Sequence, residues 1–256
     1  MRRLVVLICV AVMLIFLPAL SGAADKAAAE ESYQQALRQL QGGNAGEAYT
    51  LLGNLEKENG KTDQYEIGII NALLDLSMRE KEKGGDTWKS KAQEAAIKIK
   101  TLRYSNSANP DYLLVYAKYC ALVDKERGVE RSLEKAFYYK PNFGEGHIAK
   151  GESFFCLAVN TNPNEKKNTS SSVTGSQEDY TRHWRGMEAK EAFDKALASP
   201  DLSAERKAYV YYQLARLDMK VLADDERAKT TLQKSIDAAP ESVAAGNARA
   251  LLGTLK

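Results

Sequence analysis

Leu114-x2-Ala117-Lys118-x2-Ala121, and then Ile148-x2-Gly151-Glu152-x2-Phe155 about thirty-four residues later, are two copies of one pattern. Their reading decides the fold. Apolar or small residues three and four positions apart lie on one helix face, and a step of this length is the length of a helix-turn-helix unit. A single such unit cannot bury its apolar face alone. It needs a neighbour on each side, so the pattern predicts an all-α array of stacked antiparallel helix pairs that offers an extended surface to something else.

Outward from that echo, the rest of the chain reads in the same units. Upstream, Tyr33, Ala36, Leu37 and Leu40 recur at helical spacing until Gly42-Gly43-Asn44 breaks the helix, and Ala48, Leu51, Leu52 and Leu55 follow at once. Tyr65, Ile69, Ala72, Leu73 and Leu76 make the next helix, which stops at Gly84-Gly85. Asp86 is the expected cap of the returning helix, with Trp88, Ala92, Ala96 and Ile99 on its apolar stripe. Asn109-Pro110 opens the third pair, with Leu113, Ala117, Cys120 and Ala121 inward. No alternating run predicts a strand.

From about Asn109 to Pro240 the chain resembles the tetratricopeptide repeat family. Leu133-x2-Ala136 followed by Lys140-Pro141-Asn142 looks like the end of one such repeat, and Gly151 and Phe154 fall on the family's small and aromatic positions. Ala189-x3-Phe193-x2-Ala196 closing at Pro200 is similar to its second helix, and Leu214-Ala215 with Ala228-x3-Leu232 closing at Pro240 gives one more unit. The resemblance implies a right-handed α-solenoid with pairs at about 27–60, 62–104, 110–141, 143–200 and 203–240, capped by a helix over 242–255.

It also implies a concave groove lined by the first helix of each pair. Carried over position by position, the groove residues are Tyr33, Asp111, Leu114, Lys118, Glu145, Ile148, Glu152, Phe155, Tyr209, Tyr212 and Arg216. Aromatics mixed with both signs of charge suit a protein or peptide partner. They lack the basic pattern of family grooves that hold a terminal carboxylate. Tyr, Leu, Ile and Phe at this spacing also serve to pack one unit on the next, and the charged positions also serve as exposed ion pairs.

The fourth pair carries a polar insertion at 160–180, rich in Asn, Ser, Thr, Lys and Gly and too poor in apolar side chains to fold alone. It reads as a surface loop or as a segment that orders on a partner through Lys166, Lys167 and Ser170 to Ser172. Asn168-Thr169-Ser170 is a glycosylation sequon, relevant only in a eukaryotic secretory route.

The start of the chain bears on compartment. Arg2-Arg3, an apolar run from Leu4 to Leu17, Pro18 and the small residues Ser21 to Ala24 read as a signal peptide over 1–24, cleaved after Ala23 or Ala24. The run falls short of the roughly 20 apolar residues of a spanning helix, so the expectation is an exported, periplasmic or extracellular protein without stable membrane insertion. Loss of Arg2 and Arg3 takes the formal charge from +2 to zero. That leaves no global field for nucleic acid.

Cys120 and Cys156 lie in apolar helical segments two positions out of phase, which favours buried thiols over a disulfide. His147 and His183 have no partner at metal-binding spacing, and no phosphate loop, nucleophile elbow or zinc-helix motif occurs. The expectation is a non-enzyme without cofactor: a scaffold or adaptor in the cell envelope. The alternative is an accessory solute-binding component of a transport system, with a small ligand held between repeats.

Overall fold

The computed structural model describes residues 26–161 and 176–255; the segment 1–24 and the centre of the polar insertion lie outside them. Among the described residues every regular element is helical: α1 (26–42), α2 (Ala45–Asn59), α3 (Asp63–Glu82), α4 (Trp88–Leu102), α5 (Pro110–Leu122), α6 (Glu126–Tyr139), α7 (Gly144–Asn160), α8 (Ser176–Ala198), α9 (Ala204–Leu217), α10 (Asp225–Ala238) and α11 (Val243–Leu252). A short π-helical stretch, Asp218–Leu222, extends α9 and ends at Ala223 in the left-handed region.

Side chains at the starts of the helices fix their boundaries. Thr62, Asn109, Ser203, Asp224 and Ser242 each accept a hydrogen bond from a backbone N–H in the first turn of the helix that follows. Pro110 occupies the first helical position of α5, where its missing N–H is harmless. The expected cap Asp86 lies one residue too early: Thr87 occupies that position and makes no side-chain cap bond. Gly43 makes the α1–α2 turn at φ +90°, a conformation that costs glycine little.

Helices pack as hairpins, α3 with α4, α5 with α6, α7 with α8 and α9 with α10, and α11 covers α9 and α10. The second helix of each pair presents a narrow small-residue face, such as Ala189, Ala192, Phe193 and Ala196 on α8, all buried. Close approach depends on glycine. A Cβ on Gly151 would lie 2.5 Å from the ring of Phe193, so only a bare backbone lets α7 and α8 meet at that height.

Cross-contacts show that α3, α5 and α7 run in the same direction. Asp75, Lys118 and Glu152 meet at mid-height, Lys81 near the end of α3 donates to the Leu122 carbonyl at the end of α5, and Asn160 at the end of α7 donates to the Ala121 carbonyl. Helix α9 continues the row, with Arg206 on Glu145 and Tyr209 on Glu152.

The first hairpin does not simply extend this row. Tyr33 on α1 sits 5.6 Å from the Tyr65 ring on α3, whereas the Gln41 carbonyl at its other end accepts a bond from Arg206 on α9. Gly43 lies against both Arg79 and Tyr209, and Gly42 against Val243 of α11. Helix α1 therefore bridges from α3 to α9, and the first and last units touch.

The polar insertion is shorter than the composition predicts. Helix α7 continues to Asn160 and α8 already begins at Ser176. Arg185, within α8, then ties down the end of α7 by donating to the Leu157 carbonyl and Thr161 Oγ1, and pairs with Glu126 at 2.7 Å.

Candidate functional site

Five helices, α1, α3, α5, α7 and α9, line a cavity of about 490 Å³ that opens at one end. Its depth is set by the shared direction of α3, α5 and α7, whose first halves form the wall. The mouth carries the exposed Asp63, Gln64 and Asp111. Below them comes a belt of Leu37, Ile67, Leu114, Val115 and Ala149 with Tyr33. The floor is Asn71, Asp75, Lys118 and Glu152.

The floor is a buried ion triad. Lys118 Nζ donates to Asn71 Oδ1 at 2.8 Å and Asp75 Oδ1 at 3.0 Å and pairs with Glu152 Oε2 at 2.5 Å. Two hydrogen bonds and one ion pair thus converge on the ammonium. Burial works against the lysine charge, but Asp75 and Glu152 together hold its pKa above the ordinary value. The two carboxylates are unequal. Burial, reinforced by the charge of Glu152, pushes Asp75 up even against Lys118. Glu152 is equally buried, yet Lys118, Arg206 and the Tyr209 hydroxyl hold it below the usual carboxylate value.

Behind the floor the polar chain continues. Tyr209 donates to Glu152, Gln213 donates to Tyr209, and Arg216 donates to Gln213 and to Glu82, which also pairs with Lys220 at 2.9 Å. A second hollow of about 30 Å³, room for roughly one water, lies on this far side between Asp75, Glu82, Phe155, Cys156 and Arg216. Cys120 and Cys156 are both free and buried. Burial pushes the Cys156 thiol up to about 12 despite Lys81 nearby. Its thiolate at pH 8 is thus depleted by about a thousandfold. Iodoacetamide at pH 8 is therefore expected to leave Cys156 unlabelled in the folded protein and to label it in urea, read by mass spectrometry; rapid native labelling would show that the helices around it open.

At the mouth, Arg206 donates to both oxygens of Glu145 at 2.7 Å and to the Gln41 carbonyl at 2.8 Å. One guanidinium thus joins α9, α7 and α1. Burial opposes its charge but Glu145 more than compensates, raising its pKa.

Of the residues the repeat frame selects, Tyr33, Asp111, Leu114, Lys118, Glu145 and Glu152 line this cavity, and Phe155, Tyr209 and Arg216 line the small hollow behind it. Ile148 does neither: it is 1% exposed and packed in the core. Tyr212 packs instead on the C-terminal cluster of Ala215, Ala228, Leu232 and Ala248. The inward stripe of α9 is Arg206, Tyr209, Gln213 and Arg216, at intervals of three, four and three; Tyr212 is turned away from it.

The frame missed Arg206, Gln213 and the whole contribution of α3. Asp63-x3-Ile67-x3-Asn71-x3-Asp75 is a stripe at a constant interval of four, legible in principle, but the second pair carries none of the signature residues that anchor the frame. Comparison of the chain with known family models, curated proteins and solved structures gives no match.

Proposed function

We propose that this chain is an exported tetratricopeptide-like solenoid, closed on itself, that holds a small solute between its repeats, as the binding component of an envelope transport or sensing system. One observation carries the reading: the face expected to be a groove for a peptide holds a deep pocket of about 490 Å³, open at its mouth and flanked by α1 and the Arg206–Glu145–Gln41 contact. That volume lies within the range of small-molecule sites, roughly 300–1,000 Å³. Apolar walls with a few fixed charges are the composition such sites use. An adaptor groove, by contrast, must stay open along its length to accept a strand or helix.

The test is native mass spectrometry of the mature protein after incubation with a cell extract, beside a Leu114→Trp variant whose indole fills the cavity. A small molecule retained by the wild type and absent from the folded variant is the expected result. No retained small molecule, together with a protein partner captured equally by both forms, would overturn the reading in favour of a docking scaffold.

A further inference from the structure

The charges of the cavity are not balanced. Five carboxylates, Asp63, Asp75, Asp111, Glu145 and Glu152, face two cations, Lys118 and Arg206, which leaves a formal charge of −3 on the lining. The cations are already engaged. Lys118 lies between Asp75 and Glu152 with Asn71 beside it, and Arg206 is paired with both oxygens of Glu145 and bonded to the Gln41 carbonyl. Both charges are therefore already neutralised within the lining.

The unbalanced carboxylates sit at two levels. At the mouth, Asp111 is exposed and its side chain has no ion-pair partner among the described residues, and Asp63 accepts only from the neutral amide of Asn106. At the floor, Asp75 is 6% exposed and shares a single lysine with Glu152. Lys118 reaches its Oδ1, and no donor among the described residues reaches its Oδ2. Asp75 lines the cavity, so this oxygen is an acceptor open to a ligand. The cavity is the space from which a donor can come.

The two levels are separated by the belt of Leu37, Ile67 and Leu114. Along α3, twelve residues separate Asp63 from Asp75, about 18 Å at 1.5 Å per residue; along α5, seven separate Asp111 from Lys118, about 10 Å. The carboxylates are thus strung along the depth of the cavity. No group of three or more among the described residues is gathered as a metal ion would need.

Resting on the solute-holding reading above, we infer that the ligand is a linear organic cation, an aliphatic diamine. One ammonium donates to Asp75 at the floor, the methylene chain lies against Leu37, Ile67 and Leu114, and the far ammonium stays at the mouth beside Asp63 and Asp111. Such a ligand meets both polar levels and leaves the belt dry. A dicarboxylate of the same length would place charge beside Asp75 and Glu152, and a diol would leave the −3 lining uncompensated.

The test is isothermal titration calorimetry with three probes of similar length: 1,8-diaminooctane, octanedioate and 1,8-octanediol. The diamine is expected to bind and to weaken as salt is raised, and the other two are expected not to bind. Asp111→Asn, at an exposed position, is expected to weaken the diamine about two- to fivefold without loss of helicity. Asp75→Asn keeps an oxygen for Lys118 and is expected to weaken it about tenfold or more. Tighter binding of octanedioate or the diol, or diamine affinity unmoved by both substitutions, overturns the cationic assignment while leaving a solute in the cavity. Binding of none of the three, with no small molecule retained in the native mass spectrum, overturns both. Capture of a lysine-rich peptide in place of the diamine overturns the small-molecule form of the proposal.

Discussion

Lys118→Met is expected to destabilise the protein by about 3–5 kcal/mol, the range for breaking a buried ion pair from one side. Methionine fills the space of the lysine stem, so the packing loss is small. The damage comes from what remains: Asp75 and Glu152, 6% exposed each, face one another with no ammonium between them. Two like charges at that depth cannot both persist, and the variant must protonate at least one.

The sign of the pH dependence follows. Asp75 is already raised above its unfolded value by burial, and the variant removes the lysine that opposed the shift, so the protonated folded form gains stability at low pH and loses it as pH rises through the folded value. The deficit relative to wild type is therefore larger at pH 7 than at pH 5. Urea unfolding at the two pH values measures it. A deficit under 1 kcal/mol, or one identical at both, would mean that the triad is not buried as described.

Phe193→Ala is expected to cost about 3–5 kcal/mol, since the ring is fully buried and its removal leaves a cavity between α7 and α8. Its partner makes a sharper test. Gly151→Ala gains roughly 0.5–1 kcal/mol of helix propensity, yet its new methyl would lie 2.5–2.8 Å from three ring atoms of Phe193, which has nowhere to retreat. Overpacking of that kind costs about 1–3 kcal/mol and wins. In the Phe193→Ala background the clash is gone, so the same Gly151→Ala change should become neutral or stabilising. Strict additivity of the two substitutions in urea unfolding would show that Gly151 and Phe193 do not meet.

The elements that sequence made legible are those whose signal is local. The thirty-four-residue echo on α5 and α7 predicts helix pairs because both copies place small and apolar residues on the same face, and Ala117 and Gly151 are buried on it. Asn109-Pro110 and Ser242 mark helix starts through bonds made within a few residues. Where the repeat frame is strong, on α5 and α7, the positions it selects include Lys118 and Glu152, which line the cavity. The selection fails where the frame is weak. Helix α3 has no signature, and its four-residue stripe passes for an ordinary amphipathic face. Nothing in the neighbourhood of Gln41 or Arg206 announces that they meet, because the pairing depends on how far the intervening units turn.

That pairing also bears on how the molecule must assemble. An open array of helix pairs can grow from any unit, since each contact is between sequence neighbours. Here the Arg206–Gln41 bond spans 165 positions, and the Tyr209 ring rests on Gly43. The entropy of bringing such distant segments together is lost before their contacts return anything, and long-range closure of this kind slows folding. Contacts between first and last units thus trade some of the speed and modularity of a linear array for interdependence. The side of the cavity where Gln41 meets Arg206 is complete only when both ends of the chain are in place.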